Sequence, residues 1–489
     1  MQQTSTKTIS TTRTVAALAV LTVTATLAGS LVIQQLAQSS AQKAAIVIGD
    51  LDEILTEFES TPTVLRSDNA PGSVYGSALA QVGDVNGDGY EDLVVADYED
   101  GSAGSSTGAV YGYYGSASGV ATTADWTVIG DGLNYQFGYS VDAAGDVNND
   151  GYADVLIGER SAGDDAQGSV HLYYGSTSGL ATTSSWTANG SDDNQYFGND
   201  VAGIGDINGD GYDDIAVTTG LANEPSSSGG TLVSVFYGSA TTPNTTADWS
   251  YMDYSSQFFE QVNNLAGAGD VNGDGYADMV LGSPEFIRSS AMLGQINIFL
   301  GSATGFTRLP NAKYAGRVAN ARFGLSVTGA GDVNNDGYDD VMVGAPDYTN
   351  IESQEGAVAV YYGSATGLSR VGMWTKESNV TNAYYGVRMS PLGDIDGNGY
   401  TDMLVGAPLY PNAGGTGVAY IRGGSATGVL RLPLGMDGAR DASTDEYATS
   451  LTSGVTLSGT SGVDIVVGVG QYDDGTSGPA VLVYNDVSL

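Results

Sequence analysis

The stretch Asp84-Val85-Asn86-Gly87-Asp88-Gly89-Tyr90-Glu91-Asp92 carries an oxygen donor at nearly every second position. Asp84, Asn86, Asp88 and Asp92 supply side-chain oxygens at positions 1, 3, 5 and 9, and the carbonyl of Tyr90 is available at position 7. Because the glycine at position 6 permits a backbone reversal, these oxygens can close round one centre. Ca²⁺ accepts about six to eight oxygen ligands at loose angles. The stretch therefore predicts a calcium-binding loop.

Five further copies of this pattern follow, and we number all six as loop 1 to loop 6 in chain order. A single acidic turn could arise by chance, because Asp, Asn and Gly build turns without a metal. Six copies in register indicate a calcium-binding repeat, and loop 6 keeps three carboxylates although it exchanges Asp and Asn at positions 3 and 5. We expect about six structural Ca²⁺ ions, held by Asp84, Asn86, Asp88, Tyr90 and Asp92; by Asp146, Asn148, Asp150, Tyr152 and Asp154; by Asp206, Asn208, Asp210, Tyr212 and Asp214; by Asp270, Asn272, Asp274, Tyr276 and Asp278; by Asp332, Asn334, Asp336, Tyr338 and Asp340; and by Asp394, Asp396, Asn398, Tyr400 and Asp402.

The residues after each loop distinguish it from an EF-hand. An EF-hand has a bidentate Glu at position 12, where this chain has Val95, Ile157, Val217, Leu281, Val343 and Val405. The apolar run 93–96 after loop 1 is rich in β-branched residues, which is typical of a buried strand and not of an exiting helix. The loops are therefore predicted to join two strands.

The loops recur at a fixed period. Their first Asp residues lie 60 to 64 residues apart, and such a period indicates a repeat architecture. Each unit has an aromatic-Gly pair, then the loop, a buried run, a strand closed by a turn, and a more polar segment that often carries Trp. Four strands per unit are typical of a propeller blade.

A seventh unit is degenerate but recognisable. Tyr447-Ala448 replaces the aromatic-Gly pair, and Asp464 keeps the ninth position while the other carboxylates are lost, so no metal is expected there. The unit ends after its third strand, and residues 62–65 can supply the fourth. Ring closure of this kind would remove an open sheet edge. We therefore predict an all-β fold, a seven-bladed β-propeller of four-stranded blades over residues 62–489, closed by the N-terminal strand.

Composition excludes several kinds of site. The chain of 489 residues has 71 Gly and 30 Tyr, which fits many short strands and tight turns. It has no Cys, so disulfides, thiolate metal sites and Cys nucleophiles are excluded. A formal net charge of −40 argues against nucleic acid as a partner.

The N-terminal segment differs from the repeats. Lys7 and Arg13 precede an uncharged stretch over residues 14–33, and Ser39-Ser40-Ala41 offers small residues for cleavage. We interpret residues 1–41 as a signal peptide or a membrane anchor, and residues 42–61 as a linker or short helix. Either interpretation predicts a secreted or cell-surface protein, in contact with the membrane only through that anchor.

The order of motifs in each unit resembles the FG-GAP repeat of the integrin α-chain head. Loop 5, for example, lies between Phe323-Gly324 and Gly344-Ala345-Pro346, and the resemblance extends over nearly everything from residue 62 onward. In that family the calcium loops lie between the first two strands of a blade, opposite the ligand, which implies metal binding at loops 1 to 6. Six intact loops are more than integrins usually keep, so the chain is more similar to free-standing FG-GAP propellers of microbial surface and secreted proteins, some of which are lectins.

The predicted ions are interpreted as structural. Three carboxylates close together are costly to bury without a cation, so metal binding would contribute folding free energy. The sequence offers little catalytic machinery, because the only histidine, His171, lies in a predicted strand as a cross-strand neighbour. We therefore do not expect the protein to be an enzyme, although the sequence also permits a pair of carboxylates that cleaves glycosides.

The opposite face is predicted to bind a protein or carbohydrate ligand, because its loops vary while the scaffold repeats. Aromatic residues can stack on sugar rings or accept a protein loop, and an alternative is that each packs on a neighbouring blade. The main functional alternative is a secreted propeller enzyme, a lyase or hydrolase acting on polysaccharide. The candidate ligand-binding residues are Tyr98, Phe286, Tyr348, Tyr410 and Tyr472.

Overall fold

A computed structural model describes residues 62–66, 73–220, 230–254, 264–409, 417–429, 434–437, 447–454, 457–458, 463–470 and 479–487. The predicted signal or anchor segment, the predicted linker, Tyr410 and Tyr472 lie outside these residues. Within the described ranges, all thirty helical or strand elements are β-strands, and none of the chain there forms a helix long and apolar enough to cross a bilayer.

Seven four-stranded antiparallel sheets form the predicted blades. Blades 1 to 3 consist of β2 (Ala78–Gly83), β3 (Asp92–Asp97), β4 (Ala109–Tyr113) and β5 (Trp126–Ile129); β6 (Phe137–Gly145), β7 (Asp154–Glu159), β8 (Ser169–Tyr173) and β9 (Trp186–Asn189); and β10 (Asp200–Gly205), β11 (Asp214–Thr218), β12 (Thr231–Phe236) and β13 (Trp249–Asp253).

Blade 4 consists of β14 (Leu265–Gly269), β15 (Asp278–Ser283), β18 (Gln295–Phe299) and β19 (Ala312–Ala315). The connection from β15 to β18 contains a short hairpin, β16 (Ile287–Arg288) and β17 (Ala291–Met292), which the repeat pattern did not predict. Blades 5 and 6 consist of β20 (Val327–Gly331), β21 (Asp340–Ala345), β22 (Ala357–Tyr362) and β23 (Ser369–Glu377); and β24 (Met389–Gly393), β25 (Asp402–Ala407), β26 (Val418–Arg422) and β27 (Leu434–Asp437).

The seventh blade closes the ring as predicted. It consists of β28 (Tyr447–Gly454), β29 (Val463–Val469), β30 (Ala480–Val487) and the N-terminal strand β1 (Thr63–Leu65). Strand β1 pairs antiparallel with β30, with Leu65 opposite Val481. Leu65 is fully buried among residues of blades 1 and 7. The two ends of the propeller are therefore joined within one sheet.

The second strand of each blade is the core element. In blades 1 to 6 it begins at the ninth-position Asp of the loop, and all residues of β3, β7, β15, β21 and β25 are buried. The first strand of each blade lines the central channel, and neighbouring first strands contact each other round the ring, including β28 with β2. Because the loops follow the first strands, they all lie on one face, which we call the loop face; the connections from second to third strands lie on the opposite face.

Tryptophan residues of the fourth strands join successive blades. The ring of Trp126 lies 5.3 Å from that of Tyr173 in the next blade, and Trp186 and Trp249 make the same kind of contact at 5.1 Å with Phe236 and Phe299. All three contacts are edge-to-face, the arrangement that aromatic quadrupoles favour. The Trp segment noted in the sequence is therefore a blade-to-blade packing element.

Candidate metal centres

Each loop is folded around its first Asp. In loop 1, Asp84 Oδ1 accepts hydrogen bonds from the amides of Gly87 (2.6 Å) and Asp88 (3.1 Å), and Asp84 Oδ2 accepts one from Gly89 (2.8 Å). The glycine at position 6 has a left-handed φ of 91° in loop 1 and between 88° and 91° in the other five loops. The backbone therefore reverses at position 6, as predicted. L-residues rarely adopt this conformation, which explains why glycine occupies the position.

The ninth-position Asp fixes the loop to the rest of its blade. Asp92 Oδ2 accepts from the amide of Val85 (2.9 Å) at position 2, and Asp92 Oδ1 accepts from Gly115 (2.8 Å) after the third strand. The corresponding pairs of bonds recur in loops 2 to 6, with every distance between 2.7 and 3.1 Å. Each of these six carboxylates therefore holds two turns of the loop face together.

Burial dominates the electrostatics of the ninth-position Asp residues, all of which are at most 1% exposed. Burial raises their pKa far above the ordinary Asp value; the two amide bonds lower it, and the carboxylates of the same loop raise it again. The resulting pKa is about 7 for Asp92, Asp154, Asp214, Asp278 and Asp340 and about 6 for Asp402. Each loop thus favours either a proton or a cation near this carboxylate.

Two observations test whether a cation fits the loops. In loop 6, carboxylate oxygens of Asp394, Asp396 and Asp402 lie within 4.8 Å of one another. In loop 5, Oδ1 of Asn334, at position 3, is buried and has no hydrogen-bond partner, and an unsatisfied buried acceptor is costly. Both features fit a hard cation bound by oxygen donors.

The loops are hydrogen-bonded to each other round the ring. The amide at position 8 of each of loops 2 to 6 donates to the position 1 carbonyl of the preceding loop, for example Ala153 to Asp84 at 3.1 Å. Two position 8 side chains add a bond of 2.8 Å: Asp213 accepts from the amide of Asp146, and Asp339 accepts from that of Asp270. Adjacent candidate sites therefore share one hydrogen-bond network.

The degenerate seventh loop keeps the structural part of the motif only. Oδ2 of Asp464 accepts from the amide of Ser458 (2.8 Å), and Oδ1 lies 3.1 Å from the Ser458 hydroxyl. The carbonyl of Leu457 accepts a hydrogen bond from the amide of Ser116 in blade 1 (3.0 Å). Between blades 1 and 2, the carbonyl of Val85 accepts the equivalent bond from the amide of Ser176. The ninth-position Asp thus has a scaffold role that does not need the other carboxylates.

Three of the five candidate aromatic residues lie in described loops of the opposite face. Tyr98, Phe286 and Tyr348 are all half-buried. The Tyr98 ring packs against Tyr139 of the next blade at 5.1 Å, and Tyr348 packs against the core cluster between blades 4 and 5. Among the described residues, these three side chains make separate contacts and do not form a continuous circle of aromatic residues on this face.

Phe286 and Tyr348 also close their loops through the main chain. The carbonyl of Tyr348 accepts from Gly356 at the end of the loop, and that of Phe286 accepts from Gly294, both at 3.2 Å. Asp100 and Ala162 take the same place in blades 1 and 2. The position is therefore a loop anchor whose backbone is constant and whose side chain varies.

The FG-GAP repeat family matches six stretches of the chain, each of which contains one loop and the strands beside it: residues 75–113, 137–173, 197–236, 263–296, 323–361 and 390–421. The chain is an FG-GAP repeat β-propeller.

Integrin α-chains are similar to this FG-GAP propeller. Integrin alpha-V of Gallus gallus is 31% identical over 226 residues, which are 44% of this chain and 20% of the relative. Integrin alpha-5 of Xenopus laevis is 30% identical over 227 residues, with the same coverage, and integrin alpha-PS2 of Drosophila melanogaster is 31% identical over 241 residues, 46% of this chain and 16% of the relative. The chain therefore spans about a fifth or less of the length of these relatives.

The propeller also contains polar channel residues that lie outside the repeat motif. Asp142 and Asp200, on the first strands β6 and β10, line the central channel together with Asn199 and Arg388. No repeat motif marks them, because the equivalent positions in the other units carry unrelated residues. His171 was predicted as a cross-strand neighbour, and its ring contacts Glu159 (3.1 Å) and Thr187 (3.2 Å) on the adjacent strands.

Proposed function

We propose that this FG-GAP propeller is a calcium-stabilised recognition module that works outside the cell. Ca²⁺ ions occupy loops 1 to 6, and a protein or carbohydrate ligand binds the face opposite to them. The similarity to integrin α-chains, over about a fifth of their length, supports an adhesion or recognition role.

The buried ninth-position carboxylate is the observation that carries the calcium proposal. Six such groups are buried in loops that each contain three further acidic or amide side chains, at positions 1, 3 and 5. Removing an ionised carboxylate from water without a cation is unfavourable, which explains the raised pKa of each group. Bound Ca²⁺ supplies positive charge at this point. The side chains at positions 1, 3, 5 and 9 and the carbonyl at position 7 would hold it, while the loop amides keep position 1 oriented.

Thermal unfolding with and without calcium tests this role. Because a ligand of the folded state raises stability according to its concentration and affinity, millimolar Ca²⁺ should raise the melting temperature of chelator-treated and dialysed protein. Calorimetric titration of the same material should detect binding at several sites. Identical melting temperatures, together with no binding heat, would contradict the proposal.

The opposite face supports ligand recognition because its loops share anchors but differ in side chains. Phe286 and Tyr348 are half-buried, and each is followed in its own loop by a very exposed apolar residue, Ile287 (64% exposed) and Ile351 (84% exposed). An aromatic residue beside an exposed aliphatic one suits a carbohydrate ring or an apolar side chain of a protein ligand.

A printed glycan array and an array of extracellular proteins test the face. The double variant Phe286→Ala/Tyr348→Ala should lose any captured ligand while it retains the calcium-dependent melting temperature. Leu309→Ala is a matched control, since Leu309 is 68% exposed but lies in a connection on the loop face, and it should retain capture. Equal capture by all three proteins would exclude this site. Release of reducing sugar from bound polysaccharide would instead favour the alternative of a propeller enzyme.

A further inference from the structure

The central channel contains a polar cavity of about 110 Å³ at the end opposite the loops. All seven blades contribute lining residues, which come from the first strands or from residues just before them. Asp142 lies four residues before loop 2 and Asp200 six residues before loop 3, so a strand rise of about 3.3 Å per residue separates the cavity from the loops by roughly 13 Å or more. The cavity is therefore distinct from the six candidate loop sites.

Two carboxylates face this cavity from neighbouring blades. Asp142 Oδ2 accepts from the amide of Gly203 (3.2 Å), and Asp200 Oδ2 accepts from the amides of Asn264 (3.0 Å) and Leu265 (3.2 Å). Each carboxylate thus reaches to the first strand of the next blade and is fixed there. Because an ionised carboxylate offers about four acceptor sites, both groups keep acceptor capacity for a further partner.

An amide oxygen without a partner lies in the same wall. Asn199 lines the cavity and is 6% exposed, and its Oδ1 has no hydrogen-bond partner. The adjacent Asn264, 3% exposed, also has an unpartnered Oδ1. Buried acceptors of this kind are costly, and that of Asn199 is accounted for if a donor or cation occupies the cavity that Asn199 lines.

The charges of the side chains that line the cavity do not balance. Arg388 is the one basic residue among the lining residues, and its Nε donates to the carbonyl of Thr449 (3.0 Å) and its Nη1 to that of Val387 (3.3 Å). One guanidinium against two carboxylates leaves one negative charge uncompensated when both carboxylates are ionised. Burial raises the pKa of Asp142 to about 7, and burial followed by repulsion from Asp142 raises the pKa of Asp200 well above its ordinary value.

We propose that the channel cavity is a further Ca²⁺ site, in which Asp142, Asp200 and the amide oxygen of Asn199 bind the ion. These are hard oxygen donors of the kind that Ca²⁺ prefers. One water molecule needs about 10–15 Å³ of such space, so the cavity has room for an ion that keeps several of its waters. The ion would join blades 2 and 3 on the ligand side of the propeller.

Equilibrium dialysis of the full chain with radioactive calcium tests the site by difference. The isosteric variant Asp142→Asn/Asp200→Asn should bind one Ca²⁺ fewer than the wild type, whatever number of loops is filled. Asp253→Asn is the matched control, because Asp253 is also buried, at 3% exposure, but does not line the cavity; it should bind the wild-type number. Circular dichroism verifies that each variant is folded.

A second variant tests the site without removing its ligands. Ala266 lines the cavity next to Leu265, whose amide donates to Asp200, and Ala266→Lys would add an ammonium group to the cavity wall. This variant should also bind one Ca²⁺ fewer, and its melting temperature should rise less on addition of calcium than that of the wild type. If every folded variant binds the wild-type number of ions, the channel site is excluded, while the loop sites are tested separately by variants of the loops themselves.

Discussion

At the scale of single residues, the ninth-position Asp combines two roles that the spacing alone does not distinguish. It is a candidate ligand, and it is also a buried acceptor for two amides that join the loop to the turn after the third strand. Asp464 keeps the part of the second role that holds its own loop, since it accepts from the amide and the hydroxyl of Ser458, in a unit that has lost the other carboxylates. A comparison of Asp340 with Asp464 therefore separates metal binding from scaffold stability.

We expect Asp340→Asn to bind one Ca²⁺ fewer and to lower the free energy of unfolding by about 1.5–3 kcal/mol, since an amide can replace only one of the two charge-assisted bonds. Asp464→Asn should also lower the free energy of unfolding, because it removes the charge from both bonds to Ser458, with no change in bound calcium. Equilibrium dialysis and urea unfolding measure the two quantities. An unchanged calcium count in Asp340→Asn would contradict the assignment of loop 5.

The pH dependence of the calcium-free protein follows from the same residues. The pKa of these six carboxylates is about 6 to 7 in the folded state and about 3.9 in an unfolded chain. Between these values the folded state keeps a proton that the unfolded state has lost. Stability is therefore fully present below about pH 4 and falls as the pH rises toward 7.

Because of these six carboxylates, we expect the calcium-free protein to melt at a higher temperature at pH 5 than at pH 8. Added Ca²⁺ should raise the melting temperature more at pH 8, because it binds the ionised carboxylates. Differential scanning calorimetry at both pH values measures this. A calcium-free protein that is more stable at pH 8 would show that other groups dominate its pH dependence.

At the scale of elements, the short strand β1 closes the ring by one buried residue. Leu65 is fully buried in the cluster that also contains Tyr75, Val466, Val481 and Val483. Its partner strand β30 is the third strand of blade 7, so without β1 that strand would expose an open edge.

Leu65→Ala should lower the free energy of unfolding by about 2–5 kcal/mol, the usual cost of removing a buried Leu side chain. Thr63→Ala, in the same strand but only half-buried, should cost much less. Urea denaturation curves compare the two variants. Equal stability of Leu65→Ala and the wild type would mean that the ring does not depend on this strand for closure.

At the scale of the whole molecule, hydrogen bonds join the loops in a continuous series from loop 1 to loop 6. The side chain of Asp339 in loop 5 accepts a hydrogen bond from the amide of Asp270 in loop 4. Asp339 is not itself a proposed ligand, but this bond orients the first ligand of the neighbouring loop. In loop 6 the same position is Thr401, whose side chain makes no hydrogen bond to loop 5 within the described residues.

Asp339→Ala should therefore weaken calcium binding by several-fold at loop 4 and leave the number of sites unchanged. Thr401→Ala should leave the affinity at loop 5 as it is in the wild type. Calorimetric titration at low salt resolves the two cases. An unchanged affinity in Asp339→Ala would indicate that the loops bind calcium independently of each other.

The sequence by itself determined the loops, the period, the seven blades and the closing strand. These features depend on residues close together in the chain, such as the alternating donors of loop 1 and the apolar run after it, and on their repetition. Such patterns report local backbone geometry and burial directly.

Only the tertiary structure decided the contacts between blades. The bond from Ala153 to Asp84, the packing of Trp126 on Tyr173 and the convergence of Asp142 with Asp200 join residues of different units. The channel cavity is built from residues of seven separate blades, and no local spacing encodes which of their side chains meet. The physical reason is that such neighbours are brought together by closure of the ring, and not by the period of the chain.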